Sequence, residues 1–407
     1  MKIWIVNPYG ELPSEGWREY RSFMLAKALA ARGHDVTWWI SDFVHRSKKY
    51  RPSGELVEPA LPPGARVISV HTTPYVSNIS LARIRYEGNY GQEMARLGEK
   101  EARPDVIVMG DPSLFFSKPV LAYRNKVGCK LVLDVIDLWP ELFEVALPKW
   151  LRPLGRLIFY PLYQRRNKLV RACDGVVAVS RDYLRIALQD QSETIPGLVA
   201  YLGIDNKGHA MAKVNSSLDA ILKQFRTQFA LTAVYAGTLG DAYDIDIVIA
   251  AVKRAKLMQL PIGFVVAGEG PRKLDMHTLA ESHTSHFKFV GRLPASDMAT
   301  LYANCDVGLM TYVVGSTVAM PVKFYDYLAG GVAILNSLGR DVGEIIENQR
   351  VGLNYQPSNL DDFMDKLLSM LRQPPELKTY KENASQLVSA YDTKIQYGTF
   401  SKFLESL

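Results

Sequence analysis

Short β-branched runs alternate with longer helical stretches along this chain, and the alternation runs through twice. That rhythm leaves few folds open, because parallel strands need crossovers of a dozen or more residues, usually helices. In the first half, Lys2–Val6 predicts a strand and Trp17–Arg32 a helix, with Phe23, Leu25, Ala26 and Leu29 at helical spacing. Gly33 ends that helix before a strand over Val36–Ile40. Further strands are expected at Val67–His71, Val106–Met109, Lys130–Val135 and Val176–Val179. The rhythm restarts at Ala233–Ala236, Gly263–Ala267, Phe287–Val290, Val307–Met310 and Val332–Asn336, after a break near Leu198–Lys213. Pro375–Leu407 reads as helix with no strand after it. With 407 residues the chain is too long for one compact core. The expected class is α/β: two doubly wound, Rossmann-like domains facing across a cleft. Their expected spans are 1–200, completed by a C-terminal helix at about 385–407, and 201–384. In such sheets ligands bind beyond the carboxyl ends of the strands.

Hydrophobic residues make up 48% of the chain and charged residues 22%, which fits a soluble globular protein. No apolar run approaches the roughly 20 residues needed to span a bilayer. Met1–Gly10 runs straight into a strand pattern and lacks the layout of a signal peptide. Cys129, Cys173 and Cys305 lie far apart without C-x-x-C spacing, the pattern of buried thiols in a reducing compartment. A cytoplasmic location is expected. The net charge of +6 favours an anionic partner: nucleic acid, phospholipid head groups or a phosphorylated substrate. A basic nucleic-acid-binding protein is the alternative of another class, but no nucleic-acid-binding motif appears, so no nucleic acid is expected. Neither Gly237–Gly240 nor Gly268–Gly270 completes the dinucleotide fingerprint with its later acidic residue, which argues against a Rossmann dehydrogenase.

Four segments of the second half carry the strongest signal. Tyr235-Ala236-Gly237-Thr238-Leu239-Gly240 is a strand entering a glycine turn before a helix. There, backbone N–H groups can approach a phosphate and the helix start adds a favourable dipole. Val266-Ala267-Gly268-Glu269-Gly270-Pro271 repeats the arrangement, with a helix-starting proline. Phe289-Val290-Gly291-Arg292-Leu293-Pro294 follows, and then Met320-Pro321-Val322-Lys323-Phe324-Tyr325-Asp326-Tyr327-Leu328-Ala329-Gly330-Gly331. In the first half stand Ser14-Glu15-Gly16-Trp17, Arg32-Gly33-His34-Asp35-Val36, Asp137-Leu138-Trp139-Pro140-Glu141 and Ala178-Val179-Ser180, with Leu202-Gly203-Ile204-Asp205 at the break.

In this order and spacing the segments resemble the GT-B-fold retaining glycosyltransferases of family four, over most of the chain. Asp137–Glu141 is similar to a subgroup of polysaccharide-biosynthesis type, acting on lipid-linked precursors. The resemblance implies a retaining hexosyltransferase. Its donor would be a UDP sugar such as UDP-glucose or UDP-GlcNAc, and its acceptor a hydroxyl of a glycan or lipid-linked saccharide. It implies backbone at Arg292 and Leu293 against the nucleobase, Asp326 on the ribose hydroxyls, and Lys323 on the diphosphate. Gly16 and the turn Gly237, Thr238 and Gly240 would face the phosphates, with Glu269 in the neighbouring loop. Arg18 and Arg21 are further candidates for phosphate or acceptor contact. No cofactor and no metal are implied. Two departures stand out: Val318 occupies the place of the first glutamate of the family's E-x7-E pattern, and no basic pair follows Gly240. A sugar-nucleotide epimerase of the same fold is the rival enzyme.

Three readings rest on the residues alone. Asp134 and Asp137 flank a strand end, where one can orient the acceptor hydroxyl, Asp137 being the catalytic candidate beside Lys323; strand-end aspartates also cap helices. Asp244-Ile245-Asp246 imitates a metal motif but falls at a helix start, where acidic residues suit the dipole. Lys149–Arg171 holds seven basic residues and no acid, interleaved with Trp150, Leu154, Leu157, Ile158 and Phe159. That pattern fits an anionic membrane surface on the inner face of a cell, or equally an amphipathic helix packed on its own sheet. Arg46, Lys48, Lys49 and Arg51 form a second basic cluster.

Overall fold

The computed structural model describes residues 1–148, 150–189, 194–205, 214–283 and 285–407. Lys149 of the basic segment and residues 206–213 of the expected break lie outside the described residues. The chain divides into two compact units, Met1–Leu202 with Thr393–Leu407, and Gly203–Asp392.

In chain order the first unit has strands β1 (Lys2–Val6), β2 (Asp35–Ser41), β3 (Phe43–Val44), β4 (Lys49–Tyr50) and β5 (Gly54–Leu56). β6 (Ala65–Val70), β7 (Val106–Asp111), β8 (Lys130–Val135), β9 (Gly175–Ala178) and β10 (Gly197–Val199) follow. Eight of them form one sheet in the order β10-β9-β8-β7-β1-β2-β6-β5, while β3 and β4 pair in a separate hairpin. Every pairing in the large sheet is parallel except β5 against β6. Strands buried on both faces read as continuous apolar runs, which explains why β1, β7 and β8 stand out in the sequence. The first helix begins at Arg21 rather than Trp17. Residues Pro13–Glu15 instead form a short 3-10 turn closed by Gly16 in the left-handed region at φ 82°, and Tyr20 is extended.

The helix Thr393–Glu405 returns to this unit. Tyr397, Phe400 and Leu404 are buried with Phe23, Leu25, Ala26 and Leu29 of the first helix in one cluster. The Arg32-Gly33-His34 turn holds its end: Arg32 donates two hydrogen bonds to Glu405, at 2.8 and 2.6 Å, and His34 Nε2 lies 2.8 Å from the same carboxylate. Those partners, Arg32 first, pull the Glu405 carboxyl down to about 2.

The second unit has β11 (Leu231–Thr238), β12 (Ile262–Glu269), β13 (Phe287–Gly291), β14 (Val307–Met310), β15 (Ala333–Asn336) and β16 (Gly352–Asn354). They form one all-parallel sheet in the order β13-β12-β11-β14-β15-β16. Helices such as Ile245–Leu257 and Leu360–Arg372 bury Val248, Ala251, Phe363 and Leu367 against it. Both units are therefore doubly wound α/β layers of the Rossmann type. Cys129, Cys173 and Cys305 are buried free thiols. No helix among the described residues is long and apolar enough to cross a membrane.

Candidate active site

The second unit gathers its candidate residues at the carboxyl ends of four neighbouring strands. β11 and β12 run in register to Thr238 opposite Glu269, so Gly237 and Thr238 emerge beside Gly268 and Glu269. The strand ends approach too closely for side chains. A Cβ at Gly268 would stand 2.0 Å from Gly237 O, and one at Gly270 2.3 Å from Leu239 O. Leu239 N–H is engaged with Glu269 O at 2.9 Å, which ties the two loops together. Glu269 itself is exposed and paired with Lys273 at 3.0 Å. Arg292 (exposed) and Leu293 (half-buried) follow Gly291, φ 69°, at the end of the edge strand β13.

Lys323 and Asp326 sit one turn apart on the helix Val322–Ala329, which follows β14. Tyr327 fixes that helix. Its buried hydroxyl lies 3.1 Å from Leu309 O and accepts the Ala236 N–H at 3.3 Å. Gly308 is required beneath its ring, where a Cβ would come within 2.5 Å. Lys323 is thereby carried under Gly237: a Cβ there would be 2.5 Å from Lys323 Cε. Its Nζ is buried with no hydrogen-bond partner, 4.0 Å from the Tyr235 ring centre, 3.9 Å from Tyr243 and 5.4 Å from Tyr312. Burial lowers its pKa well below the ordinary lysine value, with Asp326 opposing. A buried cation with aromatic faces and no acceptor is costly unless a ligand supplies the acceptor. Val318 lies half-buried in the loop before this helix, its N–H 3.4 Å from Ser316 Oγ.

The Asp244-Ile245-Asp246 motif has local partners. Asp244 caps its helix through Ile247 N–H at 3.1 Å and accepts from Ser358, while Asp246 pairs with Arg272. Among the described residues no group of three or more His, Cys, Asp or Glu side chains is placed to hold a metal ion.

In the first unit, Gly16 and Arg18 are exposed near the start of the first helix. The Gly16 N–H closes the turn onto Pro13 O at 2.9 Å, so in this conformation it is not presented outward. Arg21, expected at a phosphate or acceptor, is instead fully buried. It grips Asp134 at 2.6 to 2.8 Å and donates to Ala200 O at 2.6 Å. Asp134 is thus the anchor of the first helix and no acceptor-orienting group, which leaves Asp137 exposed two residues past β8. Desolvation raises the Asp137 carboxyl above its ordinary value, and Arg83 opposes that shift.

The polar cluster around Arg83 left little trace in the residue pattern. Arg83 lies over the rings of Trp139, at 4.6 Å, and Tyr9, at 5.1 Å. Tyr9 donates to Glu87 Oε1 at 2.5 Å, and Glu87 Oε2 is buried with no hydrogen-bond partner. Burial pushes the Glu87 carboxyl up to about 7, Tyr9 and Arg83 opposing. The Arg83–Glu87 pair, four residues apart on one helix, is the only signal the sequence offers.

The basic segment divides. Arg152, Arg156, Arg165, Lys168 and Arg171 are exposed, but Arg166 is buried, paired with Glu141 at 2.7 Å and donating to Trp139 O. Arg51 of the second basic cluster is likewise buried, donating to Gly10 O and paired with Glu15. Trp150, Leu154, Leu157 and Ile158 are exposed, whereas the helix Tyr160–Arg171 buries Tyr163, Leu169 and Val170, so the packed-helix reading describes the second part of the segment and not the first.

Residues 19–196 match the model of the glycosyl transferase 4-like domain, and residues 225–387 that of the glycosyl transferases group 1. No curated protein sequence matches the chain. Among solved structures, sucrose-phosphate synthase from Thermosynechococcus elongatus superposes with a TM-score of 0.73 at 15% identity, covering 100% of this chain and 99% of that one. Anabaena HepE in complex with UDP gives 0.68 at 14%, covering 100% of both chains. WaaG, a glycosyltransferase involved in lipopolysaccharide biosynthesis, gives 0.64 at 14%, covering 99% of both. At these identities the structures speak to the fold, and the domain models speak to the family. A 4-like domain followed by a group 1 domain, each on its own doubly wound sheet, makes this chain a glycosyltransferase of the GT-B type.

Proposed function

We propose that the chain transfers a hexose-type residue, with retention, from a UDP sugar to a hydroxyl of a lipid-linked glycan during assembly of a surface polysaccharide. The observation that carries this reading is the convergence at the strand ends of the second unit. Gly237, Thr238, Gly240, Glu269, Arg292, Leu293, Lys323 and Asp326 all lie on segments that follow the carboxyl ends of four neighbouring strands, which supports a shared site. Support for the uridine nucleotide comes from HepE, solved with UDP and with UDP-glucose, and support for a surface glycan from WaaG.

In this mechanism the bond from the anomeric carbon to the diphosphate oxygen breaks while the acceptor oxygen attacks from the same face. The acceptor proton passes to the departing diphosphate. Asp326 holds the ribose, backbone near Arg292 and Leu293 holds the base, and Lys323 meets the phosphate charge. Asp137 orients the acceptor hydroxyl. Positioning and phosphate-charge stabilisation then supply the rate, and no metal takes part. The protein works on the cytoplasmic face of the membrane, held by the exposed basic and apolar side chains of residues 150–171.

A panel of UDP, GDP and dTDP sugars tests this by nucleotide release. A UDP sugar should be turned over at the same rate in excess EDTA as with magnesium, and the product anomer should match the donor. Turnover confined to GDP or dTDP sugars, or an inverted product, would overturn it.

A further inference from the structure

The first unit contains a cavity of about 440 Å³ between the start of the helix Leu81–Gly98 and the segment that follows β8. Ile84, Phe115, Trp139, Phe143, Phe159 and Leu162 give it apolar walls. Of the described residues lining it, Arg83 is the cation and Glu87 the anion. This is the size of a small-molecule site, but its other polar lining residues, Asn78 and Ser80, are engaged with Lys48 and the Arg83 N–H, which leaves little for the hydroxyls of a sugar or nucleotide.

The apolar character continues outward. Ile79 and Leu81, which line the cavity, are 65% and 76% exposed. Between two other lining residues, Leu147 and Phe159, stand Trp150 at 76% and Leu157 at 74%. Two exposed arginines border lining residues: Arg165 lies over the Phe115 ring at 5.6 Å, and Arg152 donates to Leu147 O at 3.1 Å. An apolar chamber with an apolar lip, one internal arginine and a basic rim is complementary to a hydrocarbon chain carrying an anionic head.

We infer that this cavity seats the hydrocarbon chain of a phosphorylated lipid, with Arg83 and the rim arginines toward the phosphate. The inference rests on the reading that the acceptor is lipid-linked, and names the part of that acceptor the first unit recognises. It differs from adhesion to a bilayer surface, because it requires a single lipid molecule to enter the protein.

The test uses the full chain without vesicles and titrates dimethylallyl, geranyl and farnesyl monophosphate below their micelle concentrations. Binding is followed by calorimetry and by tryptophan fluorescence, Trp139 lying in the cavity wall. Affinity should rise about tenfold or more with each isoprene unit, as expected for successive apolar groups leaving water. Inorganic phosphate should not displace the farnesyl compound. Ala146→Trp, which sets a bulky ring at an exposed lining position, should weaken farnesyl phosphate at least tenfold. Ile84→Glu is a second variant at a half-open wall position, where misfolding is less of a concern, and should do the same. A UDP titration of each sample reports on the second unit separately.

Equal affinity for the three phosphates, or wild-type binding by both variants, would overturn the inference. So would a fluorescence change that tracks self-association, which would assign the cavity to a second copy of the chain. The two readings fail separately. Chain-length-dependent binding without transfer to any lipid-linked saccharide keeps the cavity and removes the acceptor. Transfer to such saccharides at equal rates in wild type and Ala146→Trp keeps the acceptor and removes the cavity.

Discussion

In the proposed donor role, Lys323 trades stability against function. Its ammonium is enclosed by Tyr235, Tyr243 and Tyr312 without a hydrogen-bond acceptor. Lys323→Met should therefore stabilise the second unit by roughly 1–3 kcal/mol, read by denaturant unfolding. The same change should weaken UDP by about tenfold or more, since a charge-assisted contact to phosphate is lost. A variant that is both less stable and unchanged in UDP affinity would remove Lys323 from the site. Glu87 makes a second residue-level prediction. Its carboxyl is raised to about 7 in the fold by burial, against about 4.3 in an unfolded chain. A raised carboxyl contributes stability that is complete below the unfolded value and is lost as pH rises through the folded one. Between about pH 4.5 and 7 the loss is on the order of 3 kcal/mol, and Glu87→Gln should flatten it. The neighbouring Asp111, also raised to about 7 by burial, leaves some slope behind. Urea unfolding at several pH values checks this, and an unchanged slope in Glu87→Gln would place the titration elsewhere.

At the scale of elements, the strand–helix alternation was legible because two-faced burial writes a continuous apolar run. Lys130–Val135 and Val307–Met310 coincide with their strands to the residue. The edge strands Gly54–Leu56, Gly197–Val199 and Gly352–Asn354 were not legible, since three residues are too few to show a period. The strand-end glycines were visible as a pattern, but the reason for Gly268 and Gly270 is the opposing backbone, which only the sheet order reveals. The Arg21–Asp134 pair spans 113 positions, and the Lys323 cage draws on three separate segments, so neither leaves a local trace. The same contrast of distant partners applies to the helix Thr393–Glu405. Phe400→Ala should destabilise the first unit by roughly 3–5 kcal/mol through the cavity it leaves. Glu405→Gln, which removes an exposed pair with Arg32, should leave the melting temperature close to wild type. The reverse order in thermal melts would mean that the charge clamp, and not the apolar face, holds this helix.

At the scale of the whole molecule, the excess of six positive charges is concentrated in part on a segment whose apolar side chains also remain exposed. Each exposed Lys or Arg near an anionic leaflet contributes about 1 kcal/mol, fading within a Debye length. Replacing Arg152, Arg156, Arg165 and Lys168 together by glutamine should abolish co-sedimentation with anionic vesicles at low salt; Arg166 is left in place because it is buried against Glu141. Wild-type protein that ignores such vesicles would end the membrane reading. The proposed function depends on what the strand ends of the second unit bind. The most direct test is calorimetric titration of UDP into wild-type protein and Asp326→Ala. Wild type should bind, and the variant, folded as before, should bind about 10- to 100-fold more weakly through loss of its ribose hydrogen bonds. Equal affinity in the two proteins, or no UDP binding by wild type, would contradict the account.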